Sequence, residues 1–152
     1  LMIVVAIIAI LAAIAIPQYQ NYVIRSQVTR AIAEASDQKV VVEDCLNNGQ
    51  TTIGSAAGNC QPTATPSDIL TGAAQGSESL PTGTTGGFPQ VTITTATGGA
   101  SASIVATLGN HAASAVSGKT VTLTRDATSG NWTCAFNGLS KFAPVSCPGS
   151  GT

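Results

Sequence analysis

The chain has 152 residues, enough for one domain with one modest core. Only 9% of them are Asp, Glu, Lys or Arg and the formal net charge is −1, which excludes a general electrostatic grip on nucleic acid or on an anionic membrane. A single histidine, His111, leaves little material for a metal centre or an acid–base pair, while 43% apolar content argues against a disordered chain.

The apolar residues are concentrated at the start. Leu1–Ile16 contains no polar side chain, and the first charge is Arg25. As a helix this run spans ~24 Å at ~1.5 Å per residue, short of the ~30 Å hydrocarbon core of a bilayer. A secretory signal peptide would need a basic segment before the run and a small-residue cleavage site after it, and neither is present. The sequence lacks an initiator Met, so the natural segment is expected to begin upstream of Leu1. Pro17 removes a backbone donor and is expected to interrupt the helix.

Helical spacing returns beyond it. Val28, Ile32, Ala35, Val42 and Leu46 share a face, with Lys39 in its middle. Arg30, Glu34 and Asp37 supply the polar side, and Asn47-Asn48-Gly49 is a stop signal. The result is one long helix, apolar all round in its first half and amphipathic in its second. A domain this small cannot surround a helix that is apolar on every face, so the pattern demands lipid or other helices.

Gly49–Gly87 is rich in Gly, Ser, Thr, Ala and Pro and reads as connecting structure. One short helix is expected from Pro66 to about Ala74, capped by Thr65. Four alternating segments follow. Val91, Ile93 and Thr95 share one face of the first, and Ala102, Ile104, Ala106 and Leu108 one face of the second. Val121 and Leu123 do so in the third, Trp132, Cys134 and Phe136 in the fourth, with Asp126–Gly130 as the turn between those two. Period-two segments joined by Gly-rich turns read as an antiparallel sheet with one Thr-rich wet face. The expected fold is α+β, a long N-terminal helix packed on a four-stranded antiparallel sheet.

Cys45, Cys60, Cys134 and Cys147 allow three pairings. None lies in a Cys-x-x-Cys motif, and their even number in a weakly charged exported chain favours disulfides over metal. Sequential pairing closes two short loops, each worth about 3 kcal/mol by the chain-entropy estimate. Enzyme motifs are fragmentary. Ser36 and Lys39 satisfy Ser-x-x-Lys without its companion motifs, and Gly118-Lys119-Thr120 resembles the end of a phosphate loop but leads into a strand. His111 follows Gly109-Asn110 with no evident partner, and Asn131-Trp132-Thr133 fits a glycosylation sequon that is common by chance. No catalytic constellation, metal site or cofactor site is expected, and the chain is read as no enzyme.

Two stretches resemble a known family. Leu1–Tyr22, LMIVVAIIAILAAIAIPQYQNY, is similar to the N-terminal segment of the type IVa pilins of Gram-negative bacteria. Trp132-Thr133-Cys134, followed by Lys141-Phe142-Ala143-Pro144-Val145-Ser146-Cys147, is similar to their disulfide-closed C-terminal loop. In that family the mature chain begins about five residues earlier with an N-methylated aromatic residue and a glutamate; neither is in this sequence, so the glutamate's role falls on no residue here. The resemblance implies the pilin fold, a Cys134–Cys147 bridge, and a receptor-contacting loop with Lys141, Phe142 and Pro144 as contact candidates; the alternative is that Phe142 and Pro144 pack the loop against the sheet. A Cys45–Cys60 bridge departs from the commonest two-cysteine pattern, and its expected role is to pin the segment after the helix.

The same resemblance implies a subunit of the type IV pilus. Residues 1–24 would anchor it in the inner membrane and then form the filament core, with Leu1, Ile3, Ile7, Ile10, Leu11, Ile14 and Pro17 as assembly residues. Residues 25–152 would form the head on an extracellular filament. Implied partners are further copies of the chain, the inner membrane, the pilus assembly machinery and a host-surface receptor; nucleic acid is not expected as a direct strong partner. Adhesion, twitching motility and DNA uptake are the implied uses. A minor pilin or a type II secretion pseudopilin is the alternative, although the latter usually lacks the C-terminal disulfide loop.

Overall fold

The computed structural model describes residues 1–151. A single 46-residue helix, α1 (Met2–Asn47), runs unbroken through Pro17, about 69 Å long at ~1.5 Å per residue. The expected interruption is therefore absent. Proline costs a helix one hydrogen bond and a local clash, and here strong helix formers on both sides carry the backbone past it. The far end closes at Gly49, whose φ of 71° lets the chain turn back while Gln50 N donates to Cys45 O at 2.8 Å.

The buried line of α1 is Val28, Ala31, Ala35, Gln38, Val42 and Cys45, alternating steps of three and four. Val28, Ala35 and Val42 hold their expected places, and Ala31 and Cys45 take the line one position before Ile32 and Leu46. Ile32 and Leu46 flank the core, half-buried. Gln38 rather than Lys39 sits in the middle, accepting a hydrogen bond from Thr63 N at 3.3 Å, whereas the Lys39 ammonium escapes sideways over the Trp132 ring, 5.9 Å from its centroid. Two alanines, Ala31 and the expected Ala35, lie on the buried line where the helix meets the sheet.

That sheet has six strands rather than four: β1 (Leu70–Thr71), β2 (Gln90–Ala96), β3 (Gly99–Leu108), β4 (Thr120–Arg125), β5 (Trp132–Leu139) and β6 (Gly149–Gly151). β2, β3, β4 and β5 are the expected ones, each antiparallel to the next. β1 continues β2's edge of β3, pairing Leu70 with Leu108, and β6 lies parallel to the end of β5. Alternation puts Val91, Ala102, Ile104, Ala106, Leu108, Val121, Leu123 and Phe136 in the core, in one buried cluster with the inner face of α1. The turn from β4 to β5 is tied by Asp126, whose Oδ1 accepts from Ser129 N at 2.7 Å and Thr128 N at 3.1 Å.

The expected helix over Pro66–Ala74 does not form. Its backbone groups are spent on distant partners instead: Ser67 exchanges two 2.9 Å bonds with Gly87, and Leu70 and Thr71 join β3 as β1. Burial of Ile69 and Leu70 rewards that choice. Gly87 is required at the crossing, because a Cβ there would overlap the Thr71 backbone. The rest of residues 50–89 is held by polar ties, among them Glu78, which accepts from Ala64 N at 2.9 Å and Gln75 N at 3.0 Å.

Candidate assembly stem and C-terminal loop

Among the described residues, the first twenty contribute nothing to the core of the head. Every residue from Leu1 to Gln20 is exposed except half-buried Ala12, and Ile3 and Ile10 keep 75% and 63% of their surface. Leu1, Ile7, Leu11 and Ile14 are exposed on the same stem, as is Pro17. Burial of each such aliphatic side chain is worth about 1.5–3 kcal/mol relative to water. The uncharged stretch Met2–Ile24 spans ~34 Å as a helix, sufficient for a ~30 Å hydrocarbon core. Tyr19 and Tyr22, exposed near its lower charged boundary at Arg25, are of the type that sits at a membrane interface.

From Val28 onward the helix belongs to the head. Polar ties hold it to the sheet and loops at both ends. Near the stem, Gln27 Oε1 accepts from Ala113 N at 2.8 Å, while Arg30 pairs with Glu34 at 2.8 Å and Asp68 at 3.1 Å. At the other end, Glu43 Oε1 accepts from Arg125 Nε at 2.7 Å and Trp132 Nε1 at 2.8 Å. The Arg125 hydrogen bond pulls the Glu43 carboxyl below its ordinary value, outweighing the upward push of burial, and the Trp132 N–H adds to it. The Arg30 guanidinium is raised, chiefly by its hydrogen bond to Glu34.

Disulfides join Cys45 to Cys60 and Cys134 to Cys147. The first fixes the connecting segment to the last turn of α1. The second ties β5 to the returning loop, which passes through a short 3-10 turn at Ser140–Phe142. Of the residues singled out for receptor contact, Phe142 is 3% exposed and packs in the core beside α1, because an aromatic ring gains more from burial than from water. Pro144 is half-buried and Lys141 exposed, its ammonium 4.8 Å from the Phe142 ring centroid. Val145 is fully exposed at the rim of a niche of about 320 Å³ that Arg25 and Thr29 also line. Sequence reasoning missed Val145, since an isolated valine ordinarily signals burial.

The fragmentary motifs gain no partners from the fold. Ser36 is half-buried and Lys39 leans on Trp132, Lys119 and His111 are exposed, and Asn131 stands exposed beside the hairpin turn. Among the described residues, no three His, Cys, Asp or Glu side chains converge as a metal site.

Comparison with known proteins agrees with this architecture. The profile of the family described as Pilin (bacterial filament) matches residues 24–148. A "Probable minor fimbrial protein" of Dichelobacter nodosus is 46% identical over 97% of this chain and 89% of its own length. A "Type IV major fimbrial protein FimA" of the same organism is 43% identical over 97% and 89%, and a "Fimbrial protein" of Pseudomonas aeruginosa 39% identical over 99% and 93%. Among solved structures, a Cs1 pilin chimera superposes with a TM-score of 0.55 at 21% identity, covering 84% of this chain and 98% of that one, a likeness of fold. With a continuous helix, an antiparallel sheet packed on its second half and these relatives, the chain belongs to the pilin family, a structural protein of bacterial filaments and not an enzyme.

Proposed function

We propose that this chain is a repeating subunit of a type IV pilus. Residues 1–24 hold it in the inner membrane before assembly and lie in the filament core afterwards; residues 25–152 form the surface head. One observation carries this reading: a single continuous helix packs one face of its second half against the sheet and is bare in its first. Transfer of Leu1, Ile3, Ile7, Ile10, Leu11 and Ile14 from lipid to a bundle of identical stems changes their apolar surroundings little, since lipid tails are as apolar as leucine. Assembly by the membrane machinery can then be reversed. Pro17, which leaves one backbone carbonyl without its donor, is the place where the stem bends on packing.

Adhesion is the use supported by the head, through Lys141, Pro144 and the exposed Val145 beside the Cys134–Cys147 bridge. Twitching motility and DNA uptake follow only from the resemblance to type IVa pilins. A second reading, a minor subunit of the same filament, is favoured by the D. nodosus relatives named as minor fimbrial proteins. Electron microscopy and intact-mass analysis of filaments sheared from the producing cell test both. This chain as the bulk of the filament supports the repeating subunit, a trace component supports the minor one, and absence from any filament refutes both.

A further inference from the structure

The net charge of −1 conceals a sorting of charge along the head. Two contacts fix its ends. Gln27 holds the loop before Lys119 at the stem end, where Arg25 Nε also donates to Lys141 O at 2.6 Å. Glu43 meets Arg125 at the distal end, which puts Asp126 beside the last turns of α1. The stem half thus carries Arg25, Arg30, Lys119 and Lys141 against Glu34 and Asp68, and the distal half Asp37, Glu43, Asp44 and Asp126 against Lys39 and Arg125; the seventh acid, Glu78, is tied within the connecting segment by Ala64 N and Gln75 N. Ion pairs occupy Arg30, Glu34, Asp68, Glu43 and Arg125. Among the described residues, exposed Arg25, Lys119 and Lys141 are left outside any ion pair at one end and exposed Asp37, Asp44 and Asp126 at the other; half-buried Lys39, on the Trp132 ring, and half-buried Glu78 also make none. Arg25 and Asp44 lie ~28 Å apart along one helix, well beyond the ~8 Å screening length at physiological salt. One copy cannot satisfy its own two ends.

We propose that the basic stem end of one head, Arg25, Lys119 and Lys141, docks on the acidic distal end of another copy of this chain, Asp37, Asp44 and Asp126, and so sets the axial spacing of subunits. The inference rests on the filament reading above and deepens it. When every stem points the same way, a stem end faces a distal end and never its like. A contact between unlike ends does not close on itself and repeats along an axis. Exposed ion pairs are individually weak, but here they recur at every boundary between copies, and like-charge contacts would penalise any other axial register.

The test uses the full chain in a bacterium that has assembly machinery but no pilin of its own, reading filament yield after shearing. Lys119→Glu with Lys141→Glu is expected to lower the yield at least ten-fold, as is Asp37→Lys with Asp44→Lys. All four changes together are expected to recover it to within about two-fold. Detergent-extracted variants should melt within a few degrees of the unaltered chain, because these side chains make no ion pair within the copy. Unaltered filaments should shorten as salt is raised, the reverse of what apolar stem packing alone gives. Normal yield from either double variant, failure of the four-fold variant to recover while melting normally, or filaments indifferent to salt overturns the docking. A folded, unaltered chain that gives no filament overturns the filament reading itself, and the docking with it.

Discussion

Glu43 and Arg125, 82 positions apart in sequence, meet at 2.7 Å and lock the distal end of the helix to the β4–β5 hairpin. The Arg125 side chain is 17% exposed and that of Glu43 36%, so the pair is partly shielded from water. Glu43→Gln is expected to cost about 1–2 kcal/mol, between the worth of an exposed ion pair and that of a charged buried hydrogen bond. Thermal unfolding of the detergent-extracted chain measures it.

The same contact sets a pH dependence. The Glu43 carboxyl is held below its ordinary 4.5 by Arg125, so its contribution is present above that value and is lost as pH falls through the lowered folded one. Melting temperature should decline on acidification below about pH 4.5, and the Glu43→Gln variant should decline less. Equal slopes would remove Glu43 from this role.

Ala35 is completely buried where α1 meets the sheet. Ala35→Leu is expected to destabilise the head by about 1–3 kcal/mol, because extra carbons must push the helix away from packed strands. Denaturant unfolding should report it, and an unchanged midpoint would mean that the helix is less closely seated than the burial indicates.

The C-terminal loop separates structure from contact. Phe142→Ala removes a buried ring and should cost about 3–5 kcal/mol. Val145→Asp and Lys141→Ala, both at exposed positions, should leave melting unchanged and lower attachment of filaments to host cells. Unchanged attachment with both would take the loop out of adhesion.

Much of this was written in local pattern. The apolar stem, the four long strands and the Asp126–Gly130 turn follow from period and turn chemistry, which each segment carries alone. What sequence could not give depends on partners far along the chain. Leu70 chooses a strand because β3 offers it an edge, and Gly149–Gly151 has no apolar alternation to announce β6. That Gln38 rather than Lys39 is buried depends on where Thr63 and Trp132 arrive. Likewise, the burial of Phe142 and the exposure of Val145 depend on how the loop returns to β5 through the Cys134–Cys147 bridge.

The central claim is that the bare stem is the polymerisation surface, and its most direct test is the sheared-filament yield of Ile10→Asp, with Ile3→Asp beside it. Both positions are exposed on the stem and clear of the head core, so the extracted head should melt as the unaltered chain does. A carboxylate in the apolar core should reduce filaments below detection. Filaments of ordinary yield and length from either variant would contradict the account.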